Sequence, residues 1–175
     1  RRWVPAVAVW LNVSPALARL QAGEEVDVEA LVDRFLANHL ANTGAAALLV
    51  SGLRALGHPE QSERVYQAAM RCRRTMIERN PESTEAAQQL VRLAALYGRD
   101  LDEALKMAQD MVEKDPRNSE FLASLSLVHY VRGEPERGRE AYLRAVRWNP
   151  YFIRYSRLQP VFVSRALHGE TGARD

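Results

Sequence analysis

The sequence predicts an all-α protein in which antiparallel helix pairs stack as a short α-solenoid. Three observations predict it. Asn80-Pro81, Asp115-Pro116 and Asn149-Pro150 repeat with their prolines 35 and 34 residues apart, each after a run with helical spacing. A fixed period in that range marks a helical array, whose units bury their apolar faces only by stacking on one another. Composition agrees: 47% of residues are hydrophobic, and the 9 Gly and 8 Pro gather at element boundaries. Between those boundaries apolar residues come every three or four positions, the spacing of one helix face.

The opening run, Arg1 to Leu11, contains Trp3, Pro5 and Trp10 and reads as a segment docked on the array. It shares a basic start and apolar centre with signal sequences but has no small-residue cleavage site, so a trimmed anchor is the minority reading. Ser14-Pro15 predicts the start of a short helix over 16–22 closed by Gly23. Asp27 caps a second helix through Val28, Leu31, Val32, Phe35, Leu36 and Leu40. A third, over 45–56, is apolar on most sides and is expected between neighbours. Gly57-His58-Pro59 ends it, and a long fourth helix follows over 60–79 with Val65, Ala68, Ala69, Met76 and Ile77 inward. Ser83 caps the fifth helix, Asp100 the sixth over 101–114, and Asn118 or Ser119 the seventh over 120–131. Pro135 opens the eighth, to Trp148. Residues 151–168 read as a closing helix broken at Pro160, and 169–175 as a disordered polar tail.

Twelve residues before each closing proline stand Ala69, Ala104 and Gly138, a small-residue column that lets paired backbones approach closely. Gly98 and Gly133 mark the intervening turns, and one extra residue after Gly98 accounts for 35 against 34. Through Leu122, Leu125, Gly133, Gly138, Tyr142, Ala145 and Pro150, and through Leu90, Tyr97, Gly98, Ala104 and Pro116, the chain resembles the tetratricopeptide repeat, a 34-residue helix–turn–helix unit. The resemblance is clearest over 83–150 and absent before 43. It implies a right-handed superhelix with a non-repeat cap or docking segment at 1–42, a degenerate unit at 43–81, two regular units at 82–116 and 117–150, and the closing helix. It also implies protein binding rather than catalysis.

Other chemistry finds little support. The chain has no GxxxxGK, GxGxxG, HExxH or GxSxG pattern, and His39, His58, His129 and His168 lie far apart without ligand spacing. No enzyme activity, metal or cofactor is therefore expected. Cys72, the lone cysteine, precludes an internal disulfide and reads as structural despite Arg71, Arg73 and Arg74 beside it. A net charge of +2 does not call for nucleic acid. The charge does alternate: 4 basic and 5 acidic groups over 1–42, 6 and 3 over 43–81, 4 and 8 over 82–116, 10 and 6 over 117–175. Solvated faces explain that alternation, and so would steering of partners or neighbouring copies.

The family resemblance places the binding surface on the first helix of each unit. The positions off the core stripe there are Gln88, Gln89, Arg92 and Leu96, then Ser124, Leu127 and Val131 with Glu120 near the mouth. Ala123 and Leu127 stand where relatives that grip acidic chaperone tails use Lys and Asn, so a partner peptide or helix with an apolar stripe fits better. Trp3, Trp10 and Phe35 form a second candidate interface, to a larger assembly. The expected function is a non-enzymatic adaptor or scaffold, with self-association open and membrane contact confined to the N-terminal segment. A docking or regulatory domain of a larger enzyme or envelope complex is the alternative, motivated by the non-Met start. Nucleic-acid binding through Arg132, Arg137, Arg139, Arg144, Arg147, Arg154 and Arg157 ranks third. The cytoplasm is favoured over a periplasmic or membrane-anchored location.

Overall fold

The computed structural model describes residues 6–38, 40 and 42–150, with side chains from residue 13 onward. Among these residues there are helices and turns but no strand: α1 (Ala6–Gln21), α2 (Val28–Asn38), α3 (Thr43–Ala55), α4 (Pro59–Arg79), α5 (Thr84–Tyr97), α6 (Leu101–Lys114), α7 (Ser119–Val131) and α8 (Pro135–Trp148). Over the described residues the protein is all-α and built from antiparallel helix pairs. Its helices group into two units, residues 1–86 and 87–175. The expected closing helix and tail, Trp3 and the side chain of Trp10 lie outside the described residues.

In the first unit α3 and α4 form an antiparallel pair about Gly57. With φ +85, Gly57 takes the left-handed conformation that costs a glycine nothing. The Gly57 N–H then donates to the Arg54 carbonyl at 3.3 Å and the His58 N–H to Leu53 at 2.8 Å, closing α3. Pro59 starts α4 where its missing N–H is not needed. Ala46, Leu49, Val50 and Leu53 are buried on α3, and Val65, Tyr66, Ala69 and Met70 on α4. Each large apolar side chain so buried contributes about 1.5–3 kcal/mol. The Ser62 hydroxyl, also buried, donates to the Val50 carbonyl at 2.7 Å.

Two further helices lean on this pair. α1 packs on α3, where Gly52 makes room: a Cβ there would stand 2.6 Å from Leu17 Cδ1. α2 packs on α4 through Val28, Val32 and Phe35, all buried. Glu29 accepts from Gln61 at 2.8 Å and Arg64 at 2.9 Å, and Asp33 accepts from Arg64 at 2.6 Å. These pairs are exposed, so they add specificity more than stability.

Three expectations for this unit are corrected. The first helix begins at Ala6 rather than Ala16, with Pro15 inside it. The proline forfeits only its own bond to the Leu11 carbonyl, and the helix continues through it. Phe35 is 2% exposed, so it is core and not an interface residue: at positions 28, 32 and 35, α2 presents one face to α4. Met76, expected inward, is 43% exposed, because the buried stripe of α4 runs through Tyr66, Met70 and Arg73 instead.

In the second unit α7 and α8 form an antiparallel pair about Gly133, whose φ is +77. The Gly133 and Glu134 N–H groups close α7 on the Tyr130 and His129 carbonyls, and Pro135 starts α8. This repeats the Gly57-His58-Pro59 turn bond for bond. α6 packs on the other side of α7. Residues Phe121 to His129 are all buried, so α7 is enclosed on every side over that span. Two residues, Arg99 and Asp100, separate Gly98 from α6, where one separates Gly57 from α4 and Gly133 from α8, and Asp100 itself is left-handed at φ 52. That conformation takes its side chain out of capping range. Asp100 is therefore the extra residue of the longer repeat but not the side-chain cap expected for α6.

Candidate functional site

α5 buries Leu90, Val91, Leu93, Ala94 and Ala95. The opposite stripe at positions 88, 89, 92 and 96 carries Gln88, Gln89 and Arg92, half-buried, and Leu96, which is 43% exposed. An exposed leucine beside amides and one guanidinium is a surface suited to a peptide, since it combines an apolar anchor with groups that read backbone polarity.

Glu120, in the first turn of α7, joins this stripe. Asn118 caps that helix by accepting from the Glu120 and Phe121 N–H groups at 3.1 and 3.3 Å. This holds the Glu120 carboxylate toward α5, where Gln88 Nε2 donates at 3.5 Å and Arg92 Nη2 stands 4.0 Å away. Both contacts are long. Arg92 Nε is buried and has no hydrogen-bond partner. Leaving a buried charged donor unmet costs about 1–3 kcal/mol, so the stripe contains a donor in need of an acceptor.

The other two positions expected on this surface fall elsewhere. Ser124 and Leu127 are 3% and 2% exposed. The Ser124 hydroxyl turns back to the Glu120 carbonyl at 2.9 Å. Both belong to the enclosed stretch of α7, and of the four positions expected from that helix Glu120 and the half-buried Val131 remain accessible.

The sequence did not point to a polar cluster at the α7–α8 turn. His129 Nδ1 lies 2.7 Å from Glu134 Oε2, Arg132 Nε donates to Glu134 Oε1 at 3.0 Å, and Arg137 Nη1 approaches Oε2 at 3.4 Å. Arg132 also reaches Asp102 at the start of α6. Hydrogen bonds from Arg132 and then His129 hold the Glu134 carboxyl down at about 2. The arrangement pins the turn to α6, in keeping with a structural reading of His129. It also commits Arg132, 25% exposed, to two carboxylates, whereas Arg137 stays largely exposed beside Glu134. Arg117 stacks over the Trp148 ring at 4.8 Å, so one face of that aromatic is already occupied.

A third polar feature is internal. Arg73 is fully buried; its Nε and Nη2 donate to Thr43 Oγ1 at 3.1 and 2.6 Å, and Nη2 to the Leu40 carbonyl at 3.4 Å. Burial pushes its pKa down from the ordinary value, against the pull of Cys72 and Glu85. Cys72, half-buried, accepts from Nη1 at 3.6 Å. No group of three or more His, Cys, Asp or Glu side chains is placed to hold a metal among the described residues. No helix among them is long and apolar enough to cross a membrane.

No known family model and no curated protein matches the chain. Solved structures do. MamA 41-end from Desulfovibrio magneticus RS-1 is 18% identical with a TM-score of 0.48, over 93% of this chain and 88% of that one. The MamA RS-1 ArsTM double mutant is 19% identical with a TM-score of 0.47, over the same 93% and 88%. A MamA crystal structure is 15% identical with a TM-score of 0.39, over 85% and 76%. The all-α assignment rests on the helices themselves.

Proposed function

We propose that this chain is a non-enzymatic adaptor or scaffold that holds a peptide or helix of another protein along the α5 stripe. The single observation that carries the reading is Arg92 Nε, buried, unmet and flanked by the exposed Leu96. Arg92 keeps 35% of its side chain exposed, so a partner segment whose oxygen draws the guanidinium outward and whose apolar side chain seats on Leu96 satisfies both at once. The Gln88 carboxamide, which donates to Glu120 only at 3.5 Å, brings a group that both donates and accepts, which suits a backbone read without regard to side-chain sequence. Glu120, held only by long contacts, is free to exchange its share of Arg92 for the incoming acceptor at small cost.

The test is a quantitative capture from the native source with the wild-type chain and with Arg92→Glu and Leu96→Glu variants. The reading expects the same partner to be retained by wild type and lost from both variants at unchanged helicity. Equal retention by all three removes it. Leu127, although assigned to the same surface by the repeat, is unsuitable for this test because a buried glutamate there would disrupt the fold.

A further inference from the structure

α8 carries a stripe that the α5 surface does not use. Glu136, Glu140, Leu143, Arg144 and Arg147 are all exposed, and at about 100° per residue they share one side of the helix. The stripe is acidic in its first half and basic in its second. Acids early and bases late also suit the helix dipole, and for a wholly polar stripe that would be explanation enough. It does not explain Leu143, which sits between the two halves with 55% of its surface exposed. Nor does it explain why Glu140, Arg144 and Arg147 make no ion pair among the described residues.

We infer that this stripe pairs with the same stripe of a second copy, the two α8 helices running antiparallel about a twofold axis next to Leu143. A sequence that reads acid–apolar–base along one helix is complementary to itself only when reversed, and a twofold axis supplies that reversal. With the axis between Leu143 and Arg144, Glu140 lies level with Arg147 of the second copy, and Arg147 with Glu140 of the second copy. The two Leu143 side chains meet at the centre. In the same register Trp148 of the second copy, on the flank of the helix that also carries Arg137 and Arg144, comes beside Arg137. A shallow depression of about 390 Å³, lined by Glu136, Arg137, Arg139, Glu140 and Leu143, lies where that indole would arrive. Trp148 is 47% exposed with Arg117 already on its ring, so it has surface left to bury. A parallel pairing would set acid against acid and base against base. A single helix pair buries less than the ~1,200 Å² of a standard interface, so the dimer is weak and dissociates on dilution.

Sedimentation equilibrium of the full 175-residue chain over a range of concentrations tests this. The mass is expected to rise from the 19.8 kDa of one chain toward twice that value. Glu140→Arg and Arg147→Glu should each weaken dimerisation by about tenfold or more, since each reversal places two like-charged pairs across the axis. The two together should restore it, and Leu143→Glu should abolish it, with circular dichroism confirming unchanged helicity in every variant. A chain that stays at monomer mass at every concentration overturns the inference. So does a dimer indifferent to the single reversals, or a double reversal that fails to restore it.

Discussion

The Ser126 hydroxyl on α7 donates to the Gly138 carbonyl on α8 at 2.7 Å, and in the other unit the Ser62 hydroxyl on α4 donates to the Val50 carbonyl on α3, also at 2.7 Å. Counted from the turn glycines, Val50 and Ser126 are equivalent, and so are Ser62 and Gly138. The same close approach near the turn is thus stitched from opposite sides. Ser126→Ala and Ser62→Ala should each cost about 1 kcal/mol, because each removes one net hydrogen bond while the carbonyl stays in its helix. The two contacts share no partner, so the double variant should show the sum in urea denaturation.

Gly138 has a second reason to be glycine. A Cβ there would lie 2.9 Å from Tyr130 Cδ2 and 3.0 Å from Cγ, atoms near the root of a packed ring. Gly138→Ala gains about 1 kcal/mol of helix propensity but incurs about 1–3 kcal/mol of overpacking. A net loss of about 1 kcal/mol is expected, smaller when Tyr130→Leu removes the ring.

The Glu134 cluster predicts an acid limb. Its carboxyl is lowered from 4.5 to about 2 by Arg132 and His129. A carboxylate depressed in the folded state contributes stability that is fully present above its unfolded pKa and is lost as pH falls through the folded one. The melting temperature should therefore fall between about pH 4.5 and pH 2. In Glu134→Gln the fall over that window should be visibly shallower.

Arg73 and Thr43 predict an inverted order of harm. Thr43→Val strips two donors of a buried guanidinium of their acceptor, at a cost of about 2 kcal/mol. Arg73→Met replaces the cation with an apolar side chain of similar length, a change that buried charges often tolerate nearly neutrally. Denaturation midpoints should rank Thr43→Val below Arg73→Met.

The parts of the fold set by local chemistry were legible in the sequence. Gly57-His58-Pro59 and Gly133-Glu134-Pro135 read as helix stop and start because a left-handed glycine and a first-turn proline act on their own neighbours. The extra residue after Gly98 was legible as a count, but its left-handed backbone at Asp100 was not. What depends on neighbours far along the chain was read less well. Ser124 and Leu127 look like surface positions in a helical repeat, yet α7 is enclosed on every side. The small residue opposite Val50 is Ser62 and not Ala69, because α4 runs to 21 residues where α6 and α8 have 14, and counting back twelve from Pro81 stops two turns short. Arg73 stands in a basic run with Arg71 and Arg74, and nothing in that run's composition marks one member as buried. The helical step through Tyr66, Met70 and Arg73 was the signal that would have placed it inside. On α5 the spacing was enough to set Gln88, Gln89, Arg92 and Leu96 off the buried stripe, while the unmet Arg92 Nε follows from packing that no spacing reveals.

The central claim, that the α5 stripe binds a protein partner, is tested most directly by titrating the captured partner segment into wild-type and Leu96→Glu chains by isothermal calorimetry. The account predicts saturable binding to wild type and a loss of at least about tenfold in affinity for the variant, as expected when an interface anchor becomes a charge. Equal affinity for the two chains would contradict it.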